Sequence, residues 1–244
     1  AAEAVGKTHK IILMVDVGDL REGIMPGDTI EVINKIIELP AIELEGLGTN
    51  LGCYGGVLAS FENTKVLVDL SKEIEKHFGI KVKTLSGGNS STIPLLKRGE
   101  LAPGINQFRI GEGILLGKDS SSFAPLFGTY QNAFELVAEV IEIQTKPSLP
   151  MGKKGRDVHG NIPRFEDKGL RVRAIVALGI QDGLIDGLTP VNDAIQILGA
   201  SSDHLILDIT EANKIKIGST IGFTLEYRAL MTFAASKYVE KHIL

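Results

Sequence analysis

From residue 10 to about residue 130 the chain repeats one unit: an apolar run short enough for a strand, then an amphipathic stretch with helical spacing. Of all its features this rhythm restricts the fold most, because strand–helix repeats build parallel sheets with helical crossovers. Residues 11–17 are continuously apolar except for Asp16, as expected of a strand buried on both faces. A helix follows from Gly27-Asp28 to about Leu39, with Ile30, Ile33, Ile36 and Ile37 on one face. Residues 42–47, 81–85 and 107–110 read as further strands, and 62–78 and 90–98 as further helices. Four such units give an α/β sheet, either small and open or half of a barrel, since a closed (β/α)8 barrel needs eight.

Beyond residue 133 the rhythm changes. Residues 134–143, 171–178, 195–198, 205–209 and 221–225 read as strands joined by turns, and one helix closes the chain over residues 229–242. The expected organisation is therefore a partial barrel over residues 1–130 and a mostly β domain over 131–244. Residues 146–168, rich in Pro, Gly and charge, form a long connection of the kind that often carries function.

Composition narrows the function classes. A net charge of -4 offers no electrostatic basis for nucleic acid or an anionic membrane. No apolar run approaches the roughly 20 residues of a membrane span. The single cysteine, Cys53, allows no internal disulfide and favours a reducing, cytoplasmic compartment. The chain opens without Met, on residues that resemble the tail of an amphipathic helix, which suggests a start within a domain or a trimmed end.

Every predicted strand of the first half ends in polar or glycine-rich sequence, and in α/β folds sites are built at that end. Ser86-Gly-Gly-Asn89 followed by Ser90, Ser91 and Thr92 offers free N–H groups at a helix start, suited to a phosphate; it is equally an ordinary Ser/Thr cap after a glycine turn. A second glycine turn, Gly111-Glu112-Gly113, lies about 20 residues on and could complete a phosphate cup. Arg109 and Arg21 end strands; each is a site candidate or one half of an ion pair, Arg109 with a carboxylate such as Glu112. His159 lies in the long loop, as a solvated or functional histidine, and Lys118 lacks the glycine spacing of a nucleotide motif.

Several of these segments, in this order, resemble the alanine/ornithine racemase family of fold-type III pyridoxal-phosphate (PLP) enzymes. They are Met14-Val-Asp-Val-Gly-Asp-Leu-Arg-Glu-Gly-Ile24, Gly48-Thr-Asn50, Ser86-Gly-Gly-Asn-Ser-Ser91 and Arg109-Ile-Gly111. Pro147-Ser-Leu-Pro150, Glu166-Asp-Lys-Gly169, Leu198-Gly-Ala-Ser-Ser-Asp-His204 and Glu226-Tyr227 continue the likeness, which is nearest to the ornithine racemase branch. The resemblance implies the C-terminal half of a PLP-binding (β/α)8 barrel followed by a β domain, working as a homodimer on a small amino acid. It implies that Ser90, Gly111, Asn89 and Tyr227 hold the cofactor, phosphate above all. Arg109 would face the pyridine nitrogen, and Arg21 and Asn50 would lie near the ring and its hydroxyl. Ser202 would bind substrate and Asp203 would join the chemistry from the partner's side. Racemisation needs a proton-transferring group on each face of the α-carbon. One of these in the family is a lysine ending an early barrel strand, and no such strand occurs in these residues. The other is a tyrosine whose place falls near His159. The resemblance therefore also implies a missing N-terminal part of the barrel and a chain inactive by itself. Two alternatives stand beside a racemase: a PLP-handling protein without racemase activity, and a non-catalytic interaction domain.

Overall fold

The computed structural model of the protein describes residues 1–153, 155–156, 160, 162, 164–212 and 214–243. They fall into two compact units, Ala1–Gln131 and Asn132–Leu244.

The first unit alternates β1 (His9–Met14), α1 (Thr29–Ile37), β2 (Ile42–Gly48), α2 (Phe61–Phe78), β3 (Thr84–Ser86), α3 (Ile93–Lys97) and α4 (Glu112–Leu115). Its strands form a parallel sheet in the order β1-β2-β3. Helix α2 starts at a capping box, in which Ser60 and Asn63 exchange side-chain and backbone hydrogen bonds, and stops at left-handed Gly79. Its buried face, Leu67, Leu70 and Ile74, packs with Ile33 of α1 and Val15, Leu44, Leu47 and Leu85 of the sheet into one core. Full burial of each such side chain contributes roughly 1.5–3 kcal/mol, so the helices cover one face of the sheet firmly. The register aligns Met14 with Gly48 and Gly48 with Ser86. The three strands thus end in one row, and the segments after them emerge side by side.

The strands differ from the sequence-based expectation in ways that have local causes. The first ends at Met14 rather than residue 17, because the Asp16 carboxylate accepts hydrogen bonds from the N–H groups of Gly18 and Leu20 and turns the chain. The third begins only at Thr84, opposite Gly46, where a side chain could not fit: a Cβ there would lie 2.4 Å from the Thr84 carbonyl oxygen. The expected fourth strand, 107–110, is reduced to a single bridge between Ser86 and Gln107. Asn106 takes part of its ladder, accepting from Leu85 N–H and donating to the Lys83 carbonyl. Among the described strands β1 pairs with β2 alone, so no barrel closes among the described residues.

The second unit is a six-stranded antiparallel sheet in the order β6-β9-β4-β5-β8-β7. Its strands are β4 (Leu136–Pro147), β5 (Leu170–Val176), β6 (Leu188–Pro190), β7 (Gln196–Ala200), β8 (Leu205–Asp208) and β9 (Thr220–Leu225). In β4, buried Leu136, Ala138 and Val140 alternate with exposed neighbours, as one wet face requires. The short β6 has no apolar run long enough to be seen in sequence. Helix α5 covers Tyr227–Ala235, starting earlier and ending sooner than expected; Ser236 is already extended. The connection expected over 146–168 is shortened by β4 and tied at its base, where Lys168 N–H donates to Ser148 Oγ at 2.7 Å.

One ion pair in this unit sets an acid limit. Arg171 Nε donates to Asp208 Oδ2 at 2.8 Å and Thr210 Oγ1 donates to Asp208 Oδ1 at 2.6 Å. Burial opposes ionisation of Asp208, but Arg171 and Thr210 outweigh it and hold the carboxyl below the usual carboxylate range. A depressed carboxylate stabilises the fold fully above its unfolded pKa, about 3.9, and the contribution is lost as pH falls through the lower folded value. Thermal melts taken below about pH 4 are therefore expected to show the wild type losing its advantage over Asp208→Asn; equal melting at neutral pH would contradict this.

Candidate active site

The row of strand ends in the first unit gathers most of the residues singled out in the sequence. Arg109 reaches back across the sheet: Nη1 donates to Ser86 Oγ at 2.6 Å and Nη2 to the Thr49 carbonyl at 2.7 Å. Its own N–H donates to the Gly88 carbonyl, 2.9 Å away. Gly48 lies beneath this reach: a Cβ there would touch Nη1 at an ordinary 3.5 Å but would crowd Met14 Sδ at 2.9 Å and Ile12 Cγ2 at 3.1 Å. Arg109 does not end a buried strand as expected; the residue stays exposed while its guanidinium is partly desolvated. That desolvation lowers its pKa; Glu22 counters it and Arg21 adds to it.

Arg21 approaches from the loop after β1. Its guanidinium is hydrogen-bonded to the Glu22 carboxylate, and Nη1 donates to Cys53 Sγ at 2.6 Å. The Glu22 contact, reinforced by Cys53, raises its pKa further, while Glu22 is held below the ordinary range. Asn50, buried after β2, stands between Arg21 and Asn89: its side-chain amide lies 2.6 Å from Arg21 Nη2 and 2.8 Å from Asn89 Nδ2. One amide oxygen cannot serve both well. We assign it to Arg21, the charged and stronger donor, because Asn89 Nδ2 keeps the Leu51 carbonyl as an acceptor at 2.8 Å.

The two glycine turns meet. Gly113 N–H donates to Ser90 Oγ at 3.0 Å. The cap of the 3-10 turn Ser90–Thr92 is Asn89, whose Oδ1 accepts from Ser91 N–H at 2.8 Å; Ser90 is not the cap. Gly88, with φ +119°, makes the turn that brings these N–H groups to the strand ends. Gly111 opens α4, its carbonyl accepting from Ile114 N–H. Thr49 Oγ1 is buried and has no hydrogen-bond partner among the described residues. Guanidiniums, turn N–H groups, hydroxyls and this orphan hydroxyl form a donor-rich set, suited to a polar, anionic ligand.

The remaining candidates belong to the second unit. Ser202 and Asp203 lie in the turn between β7 and β8, which Ser201 N–H closes onto the His204 carbonyl at 2.8 Å. Ile180 and Gln181 N–H groups fasten it further, donating to the carbonyls of Ser201 and Ser202. Asp203 Oδ1 is 3.1 Å from His204 Nδ1. Tyr227, half-buried, begins α5. His159 lies outside the described residues. Sequence reasoning missed the parts played by Ser86, Thr49, Asp19, Glu22 and Cys53. Only Glu22, next to Arg21, carried a local signal, because the other contacts depend on which strand ends become neighbours.

Residues 1–118 match the family model of the alanine racemase N-terminal domain. Over 246 aligned residues the chain is 44% identical to an ornithine racemase of Acetoanaerobium sticklandii, covering 100% of this chain and 70% of that protein. It is 43% identical over 232 residues to a lysine racemase of Thermotoga maritima, covering 95% and 65% respectively. Among solved structures, an alanine racemase of Clostridium difficile 630 superposes with a TM-score of 0.60 at 19% identity, over 97% of this chain and 63% of that one. A D-threonine aldolase from Filomicrobium marinum superposes with a TM-score of 0.65 at 14% identity, over 94% and 58%. At such identities these two structures establish the fold: a partial barrel followed by a β domain.

Proposed function

The chain belongs to the PLP-dependent amino-acid racemase family that includes alanine and ornithine racemases, and we propose that it is a large part of an enzyme interconverting L- and D-amino acids. It spans about two thirds of the relatives it matches, so activity is assigned to the full-length protein. Ornithine, lysine or alanine are the substrates to try first. The observation that carries the reading is the Arg109 guanidinium, held by Ser86 and Thr49 beside the joined turns of Ser90 and Gly113.

PLP, when bound, supplies the electron-withdrawing ring that makes the α-proton of an amino acid removable. Ser90, Asn89 and Gly111 are assigned to its phosphate, and the family likeness alone adds Tyr227 as a further candidate. Arg109 is assigned to the ring nitrogen. A guanidinium has no proton to give up at working pH, so it donates there without protonating the ring, which limits unwanted reactions. Arg21 and Asn50 are assigned to the ring hydroxyl. The donor set and the orphan Thr49 hydroxyl support this fit. Proton transfer on one face is assigned to the second unit of a partner copy, with Asp203 and His159 as candidates and Ser202 beside the substrate. By the family likeness the other proton-transferring group is assigned to a lysine of an early barrel strand, a role that no lysine of residues 1–244 is assigned. In the first unit Lys10, at the start of β1, pairs with Glu45, and Lys83, just before β3, pairs with Glu43 and Glu45, away from the row of strand ends. Further barrel strands would pair with the open edge of β1. The same reading includes a homodimer and a cytoplasmic setting, where an exposed thiol such as Cys53 stays reduced.

The test is chiral analysis of ornithine, lysine and alanine incubated with the full-length protein and PLP, together with borohydride reduction and peptide mapping. Racemisation is expected, with the pyridoxyl label on a lysine outside residues 1–244. A stoichiometric label on one lysine inside them would overturn the assignment of the cofactor lysine. PLP binding without racemisation of any amino acid would favour a PLP-handling protein.

A further inference from the structure

Asp19 is 2% exposed, and no salt bridge among the described residues includes it. Its oxygens instead accept backbone hydrogen bonds from one short segment. Oδ2 accepts from Tyr54 N–H at 3.0 Å, and Oδ1 from Gly55 at 3.2 Å, Cys53 at 3.3 Å and Val57 at 3.4 Å. A buried carboxylate is costly unless it is satisfied, and converging backbone N–H groups are one way to satisfy it. The fit is close: a Cβ on Gly55 would lie 2.8 Å from the Asp19 carbonyl oxygen.

The consequence lies on either side of this contact. Three of residues 52–56, Gly-Cys-Tyr-Gly-Gly, are glycines, and the Tyr54 side chain is exposed, so side-chain packing does little to define the segment's conformation. These residues follow Asn50 after the single residue Leu51, and they carry Cys53. Asp19 ties them to the loop after β1, two residues before Arg21. Leu20, between the two, is held at φ +55°, a conformation costly for a residue with a side chain, and Asp16 Oδ1 fixes its N–H. With both loops fastened, the Arg21 guanidinium meets Cys53 Sγ and the Asn50 amide.

We propose that Asp19 is a positioning residue: its carboxylate locks the loop after β2 onto the loop after β1 and so aligns Arg21 with Asn50 for the ligand. This rests on the proposed cofactor site only for the nature of that ligand. The test uses the full-length protein with Asp19→Asn, Asp19→Ala, Arg21→Ala and the double variant Asp19→Asn/Arg21→Ala. Two quantities are read: amide hydrogen exchange at residues 53–57 and the dissociation constant for PLP. Exchange in this segment should quicken about tenfold or more in Asp19→Ala, with α2 unchanged. Asp19→Asn keeps one acceptor oxygen and should show a smaller effect, which also covers the case where Asp19→Ala does not fold. PLP affinity should fall about tenfold in Asp19→Asn, and this loss should vanish in the Arg21→Ala background, because Asp19 acts through Arg21. A loss of equal size in both backgrounds would mean general destabilisation and overturn the proposal, as would unchanged exchange or unchanged affinity in Asp19→Asn. A wild type that binds no PLP would instead overturn the cofactor reading while leaving the exchange result to stand or fall by itself.

Discussion

Gly179→Ala is expected to destabilise the second unit and displace the turn that carries Ser202 and Asp203. The added Cβ would lie 2.3 Å from Asp203 N and from the Ser202 carbonyl oxygen, and 2.4 Å from Asp203 Cα. All three are backbone atoms, so no side-chain rotation relieves the clash. The turn must move, and with it the hydrogen bonds from Ile180 and Gln181 to the Ser201 and Ser202 carbonyls. Overpacking of this kind costs about 1–3 kcal/mol, sometimes more, to which two weakened hydrogen bonds add about 1 kcal/mol each. The comparison variant is Gly27→Ala, where a Cβ meets nothing within 4 Å. Melting temperatures should fall by several degrees for Gly179→Ala and hardly change for Gly27→Ala. In the full-length enzyme racemisation should drop more than PLP affinity, because the turn is assigned to substrate rather than cofactor. Equal melting of the two variants would mean that the turn is not packed against Gly179.

How much of this was legible beforehand follows from the range of each interaction. The strand–helix rhythm of the first half and the change to strands after residue 133 rest on local periodicity, and the elements α1, α2, β2 and β4 appear close to where apolar spacing puts them. Strand ends were misjudged where a polar side chain intercepts the ladder, as Asp16 does after β1 and Asn106 beside β3. The motif Ser86-Gly-Gly-Asn89 pointed to a turn with free donors, and the structure brings it to Gly113. Nothing local showed that Asp19 would hold residues 53–57, about 35 positions further along, or that Arg109 would reach Thr49 across the sheet. Those contacts exist because the parallel register aligns Met14, Gly48 and Ser86. Gly46 and Gly179 looked like any other glycine in sequence; their necessity comes from a backbone that approaches from elsewhere in the chain.

The largest functional loss is expected at Arg109. Its guanidinium donates at once to a fully buried hydroxyl, Ser86 Oγ, and to the Thr49 carbonyl, so it holds the ends of β2 and β3 together from the side of the missing fourth strand. Arg109→Ala leaves both acceptors without this donor, at about 1–3 kcal/mol for each one that water cannot reach. It also leaves Arg21 as the remaining guanidinium of the cluster. Arg109→Lys restores the charge but not the fork: one ammonium can approach Ser86 or Thr49, and its flexible stem does not fix a donor toward a ring nitrogen. PLP affinity in the full-length protein is therefore expected to fall about a hundredfold in Arg109→Ala, the factor equivalent to about 2.7 kcal/mol. In Arg109→Lys it should fall by a smaller factor. Racemisation should fall further than affinity in both, since the group assigned to the ring nitrogen acts during proton removal as well as in binding. Equilibrium titration with PLP and initial rates at saturating cofactor separate the two effects. If Arg109→Lys matched the wild type in both, charge alone would suffice, and the bidentate reach to Ser86 and Thr49 would have no part in catalysis.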